Sequence, residues 1–121
     1  MPKTNLIMAL ALAGALAACD SGKMDGKETA IPGTEGYDPE KIELAKKSNC
    51  FSCHAMEKKM IGPSFKDIAA KYRGMDAAEE NLVFKVARGS SGAWGSIPMP
   101  ANSPPVTEAD IRATVKFILS L

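Results

Sequence analysis

The apolar positions of this chain form one unbroken block near its start and spaced stripes further on. The block, Leu6 to Ala18, runs about 13 positions without a charge. From Asp20 to Gly36 apolar residues are scarce, and Lys, Asp, Glu and Thr mix with Gly22, Gly26, Gly33 and Gly36. Helical spacing begins after that. Asp38-Pro39-Glu40 supplies an N-cap acid, a proline at the first helical position and an acid near the positive end of the dipole. Ile42, Ala45 and Phe51 share one stripe, and this helix is predicted to end near Asn49. Gly62-Pro63 breaks the chain; Ser64 to Tyr72 then puts Phe65, Ile68, Ala69 and Tyr72 on one face. After Gly74, the capping-box spacing Asp76-Ala77-Ala78-Glu79 precedes Leu82, Val83, Val86 and Ala87, with Gly89 as C-cap. Thr107-Glu108-Ala109-Asp110 opens a last helix carrying Ile111, Val115, Ile118 and Leu119. No run alternates with a period of two, so the pattern predicts an all-α fold of about four helices. The first and last are expected to pack together, with no internal repeats.

The leading block is too short to cross a bilayer core of roughly 30 Å as a helix, and Lys3 gives it a basic start, so it reads as an export signal. Leu16-Ala17-Ala18-Cys19 resembles the lipobox of bacterial lipoproteins, which implies cleavage before Cys19 and acylation of that cysteine. Asp20 then implies retention at the inner membrane. The other reading of the same residues is ordinary cleavage after Ala15-Leu16-Ala17, leaving a soluble exported protein. The expected organisation is a signal peptide over 1–18, a lipidated terminus and flexible tether over 19–37, and one folded domain over 38–121. Such a domain has a thin core of its own.

The formal net charge is only +1, with 15 Lys and Arg against 14 Asp and Glu, so nothing suggests a nucleic-acid partner. The distribution is uneven. Lys46, Lys47, Lys58, Lys59, Lys66 and Lys71 fall close together in sequence, either as a solvated surface or as a ring that steers acidic partners.

Chemistry concentrates in Cys50-Phe51-Ser52-Cys53-His54, a C-x-x-C-H attachment signature for c-type haem. Two thiols add across the two vinyl groups of one porphyrin, and the adjacent imidazole reaches the iron. His54 is the only histidine. A zinc site would need further ligands, and the chain has no second C-x-x-C. A thioredoxin-like dithiol would need a strand-rich context that the pattern lacks. The loop from Ser90 to Pro105 is long for a structureless segment, which is usually a functional trait. Within it, Trp94-Gly95-Ser96-Ile97-Pro98-Met99-Pro100 sets a methionine between two prolines that fix the backbone. Met99 is therefore the candidate sixth iron ligand rather than a core plug.

The haem pentapeptide, Ile-Gly-Pro some eight residues on, the Trp-Gly-x-Ile-Pro-Met-Pro loop and a closing amphipathic helix resemble, in that order, the small bacterial class I cytochromes c with one haem. The resemblance implies helices wrapped around one covalently bound haem c. It implies thioethers at Cys50 and Cys53, and a proximal ligand His54 whose other ring N–H meets the Pro63 carbonyl. Met99 becomes the distal ligand, with Asn102 hydrogen-bonding near its sulfur. Trp94 becomes a donor to a haem propionate, with Lys85 or Arg88 as counter-charge. The function implied is a periplasmic, membrane-anchored, monomeric electron carrier rather than an enzyme. Its redox partners would be a cytochrome oxidase, a nitrite reductase or a quinol-oxidising complex. Two alternatives stay open: a ligand-sensing haem module in which Met99 dissociates, and a haem-free dithiol redox module.

Overall fold

Residues 30–121 are described in a computed structural model; the expected signal peptide, Cys19 and most of the tether lie outside them. Four α-helices occur in the order α1 (Pro39–Lys47), α2 (Phe65–Tyr72), α3 (Ala78–Arg88) and α4 (Glu108–Leu119), with a 3₁₀ turn at Cys50–Ser52. No strand forms among the described residues; the one extended pairing is an isolated antiparallel bridge between Ser90 and Met99. α4 packs against each of the other three helices, so the expected contact of first and last helices is present.

Local chemistry explains three of the four helix starts. The Asp38 carboxylate accepts from the Glu40 amide at 2.9 Å, with Pro39 next to it. Ser64, fully buried, accepts from the Asp67 amide at 3.0 Å, and Thr107 accepts from the Asp110 amide at 3.2 Å. Each satisfies an amide the helix cannot pair itself. The capping box expected at Asp76 does not form. A turn from the Ala78 amide to the Met75 carbonyl (3.2 Å) starts α3 beyond its reach. The N-cap is Ala77, in the left-handed region at φ 53° with no side-chain bond.

Two apolar clusters form the core. One joins Ile42, Ala45, Met56, Phe65, Phe117 and Ile118; the other joins Tyr72, Leu82, Val83, Ile111 and Val115. Ile68 packs against both, which makes α2 the seam between them. Each large apolar side chain fully buried here contributes about 1.5–3 kcal/mol. Arg112 on α4 ties the outer face to α3 through Glu79 and Glu80 and also meets Glu108. The chain just before α1 is ordered against this body: Thr34 and Tyr37 close turns, and the Tyr37 hydroxyl donates to Glu57 at 3.2 Å.

Candidate functional site

A cavity of about 370 Å³ opens between α2, α3, α4 and the two loops singled out in the sequence. Its floor is apolar, with Phe65, Ile68, Leu82, Val86, Ile111 and Val115 among the lining residues. Cys50, Cys53 and His54 line it from one segment, Trp94 and Met99 from the other.

The first segment is wound tightly. Asn49 takes the left-handed conformation (φ 58°), which asparagine tolerates, and its side-chain oxygen accepts from the Ser52 hydroxyl at 2.5 Å. The Cys53 and His54 amides both donate to the Cys50 carbonyl, at 3.2 and 3.0 Å. His54 is almost buried. Its Nδ1 lies 2.7 Å from the Pro63 carbonyl. A carbonyl only accepts, so Nδ1 carries the proton and Nε2 keeps a free lone pair. No buried side-chain nitrogen or oxygen among the described residues lacks a partner. Nε2, which has no protein partner, therefore opens onto the cavity. The ring stacks on Phe65 at 5.5 Å between centroids and 24° between planes. Gly62 presses on the Cε1 edge of the ring: a Cβ there would sit 2.6 Å from the imidazole Cε1. That close approach explains why glycine precedes Pro63.

The second segment is held through its backbone. Ser90 and Met99 exchange amide-to-carbonyl bonds of 3.0 and 2.7 Å. Gly89 permits this, because its φ of 86° suits glycine and a Cβ there would meet the Met99 carbonyl at 2.8 Å. Past Met99, the Asn102 and Ser103 amides donate to the Val86 and Ala87 carbonyls at 2.9 and 3.2 Å, filling open acceptors at the end of α3. Asn102 thus acts here through its main chain, and it does not line the cavity. Of the two counter-charges considered, Lys85 lines the cavity and donates to the Tyr72 hydroxyl at 3.4 Å; Arg88 does not line it.

The donor set fits a haem and not a zinc ion. No group of three or more His, Cys, Asp or Glu side chains converges on a metal position among the described residues. An activated dithiol fits poorly as well: burial pushes the Cys50 thiol up to about 11, away from the thiolate that such chemistry needs.

A family model for cytochrome c matches residues 42–121. This chain belongs to the cytochrome c family. It is 50% identical to cytochrome c-552 of Nitrosomonas europaea over 71% of this chain and 82% of that one. Identity to cytochrome c-551 of Stutzerimonas stutzeri is 38% over 98% of both chains. The crystal structure of wild-type Nitrosomonas europaea cytochrome c552 superimposes with a TM-score of 0.63 at 51% identity, covering 66% of this chain and 98% of that one. The fold is accordingly that of a class I cytochrome c, and the cofactor of this cytochrome is covalently attached haem c. Sequence reasoning did not assign two residues that line the cleft, or one lysine that contacts its rim. Gly62 and Phe65 flank the imidazole, and Lys71 touches Trp94; only Gly62, beside a proline, left a local signal.

Proposed function

We propose that this cytochrome carries single electrons in the periplasm, with His54 and Met99 as the residues that would ligate the iron and Cys50 and Cys53 as those that would form the thioether bonds. The observation that carries the reading is one apolar cleft lined by all four side chains, with the imidazole proton committed to Pro63 and Nε2 left open. The haem supplies an iron that takes up and gives off one electron. The Pro63 carbonyl fixes the tautomer of His54 and keeps Nε2 free for the cleft. The neutral thioether of Met99 favours the ferrous form and raises the potential. With both donors supplied by the protein, no iron position would be left for a substrate, which favours carriage over gas sensing. His54 is held by Pro63 and Met99 by its main-chain bonds to Ser90, so both donors keep their places with little rearrangement. Trp94 and Lys85, which line the cleft, are suited to neutralise and orient the propionates.

The partner face lies around the cleft mouth, where Met60, Ile61 and Ile97 are exposed beside Lys58 and Lys59. The wider lysine ring is partly spent. Lys46 and Lys47 lie within 3.8 Å of Glu43, and Lys66 is 2.5 Å from Glu57. Lys58 and Lys59 form no salt bridge within 4.0 Å among the described residues, although Lys58 is near enough to Glu57 to act on its charge; they carry the steering charge for an acidic redox protein, of the oxidase, nitrite-reductase or quinol-oxidising kind. Export and anchoring rest on the sequence of residues 1–19, and no described helix is long and apolar enough to cross a membrane. Acyl chains on Cys19 would hold the domain at the inner membrane.

The visible and near-infrared spectra of the full-length protein in both redox states test the reading. Met99→Ala should abolish the sulfur-to-iron charge-transfer band, lower the potential and admit carbon monoxide; a band that survives overturns the ligation. Mass spectrometry of the mature terminus tests the anchor, which an unmodified terminus at Ala18 overturns.

A further inference from the structure

Among the described residues, the tip of the methionine loop, 91–98, makes no backbone-to-backbone hydrogen bond; its neck is closed only by the Ser90 and Met99 pair. Two of its residues, Gly92 and Gly95, have φ of 82° and 120°, so the tip is built from backbone that gains much freedom on opening. One side chain crosses to it. The Lys71 ammonium, in the last turn of α2, donates to the Ala93 carbonyl at 2.9 Å. It also stands 4.5 Å from the centroid of the Trp94 ring. This is the single hydrogen bond that ties the tip to the rest of the described protein. A charged donor and a cation over an indole face are among the stronger contacts a surface lysine makes. The negative end of α2 also favours the charge where it sits.

We propose that Lys71 is a positioning residue: a latch that holds the methionine loop shut across the cleft and so keeps Trp94 at its edge and Met99 on the iron. The latch rests on the ligation reading above. It acts from α2, whose Ile68 and Tyr72 line the same cleft, so it joins the loop to a wall of the site rather than to α3, where the loop is rooted.

The test uses the full-length, haem-loaded ferric protein and imidazole as an external ligand, which binds only when Met99 leaves. Lys71→Met keeps the length of the stem and removes both contacts. It should bind imidazole about tenfold more tightly, equivalent to about 1.4 kcal/mol, and amide exchange across 91–98 should quicken. Lys71→Arg retains a donor and a cation over the ring and should stay near the parent protein. Lys47→Met removes the same charge from α1 and should also stay near it. Lys71→Gln serves as a second variant, with an intermediate gain, should Lys71→Met fail to take up haem. Unchanged imidazole affinity in the Lys71 variants overturns the latch. So does an equal change in Lys47→Met, or Lys71→Arg behaving like Lys71→Met. A parent protein without the charge-transfer band overturns the ligation reading instead, while exchange across 91–98 still tests the latch.

Discussion

The two loops that meet at the cleft solve the same problem by different means. His54 is gripped by its side chain, with Pro63 on its proton, Phe65 beneath its ring and Gly62 against its edge. Met99 is gripped by its main chain, through Ser90 and the close approach that Gly89 allows. The chemistry of the two donors accounts for the difference. An imidazole has a second nitrogen through which a fold can aim the first. A thioether has no donor, accepts weakly and turns about three bonds. Its position can be set only by fixing its backbone and leaving little room around it. The histidine side is consequently buried and redundant, whereas the methionine side is half-buried and hangs on few contacts.

The largest expected effect lies on the histidine side. Phe65→Ala removes a ring that is 1% exposed and contacts both Phe51 and His54. It should cost about 3–5 kcal/mol in chemical denaturation. A matched truncation on the other loop, Ile97→Ala at 65% exposure, should stay within about 0.5 kcal/mol. Comparable losses at the two sites would erase the distinction. Next come the two glycines. Gly62→Ala forces a methyl into the imidazole and should cost about 1–3 kcal/mol, with the ferric spectrum disturbed through the histidine. Gly89→Ala meets both a forbidden φ and the Met99 carbonyl, at about 1–3 kcal/mol. It should weaken the sulfur-to-iron band while sparing the histidine. The comparison breaks if the two variants share one spectral change.

Two smaller effects sharpen it. Ala77→Gly relieves a left-handed alanine that does not line the cleft and should raise stability by about 1 kcal/mol in thermal unfolding, leaving imidazole binding unchanged if loop opening is local. The last concerns acid. Hydrogen bonds from Lys66 and Tyr37 hold the Glu57 carboxyl below its usual 4.5. A carboxylate lowered in the folded state stabilises above the unfolded value, and that contribution fades as pH falls through the lower, folded one. Glu57→Gln should therefore lower stability slightly at neutral pH, leave it unchanged at acid pH below the folded value, and so flatten the acid limb of the stability curve; an unchanged limb would remove the pair from the account.

Much of this was legible in the chain because its causes are local. Caps at Asp38 and Thr107 and the stripe of Ile111, Val115 and Ile118 follow from neighbours three or four residues apart. The cleft residues Cys50, Cys53, His54 and Met99 stood out by type and spacing. What stayed hidden depends on distant groups. Asp76 reads as a cap until the turn from Met75 starts the helix one residue too late. Lys71 is one lysine among many until the fold sets it beside Trp94, 23 positions away in numbering (94 − 71).

The central position of α4 also sets the timing of assembly. The loop from Cys50 to Phe65 closes on itself over short separations: Gly62 donates to Cys53, Phe65 to Ala55, and His54 to Pro63. Such contacts form early, because little chain entropy opposes them. Both apolar clusters, by contrast, need residues from α4, the last described helix. A chain emerging in order therefore presents its two thiols and imidazole on a preformed turn while the core is still open.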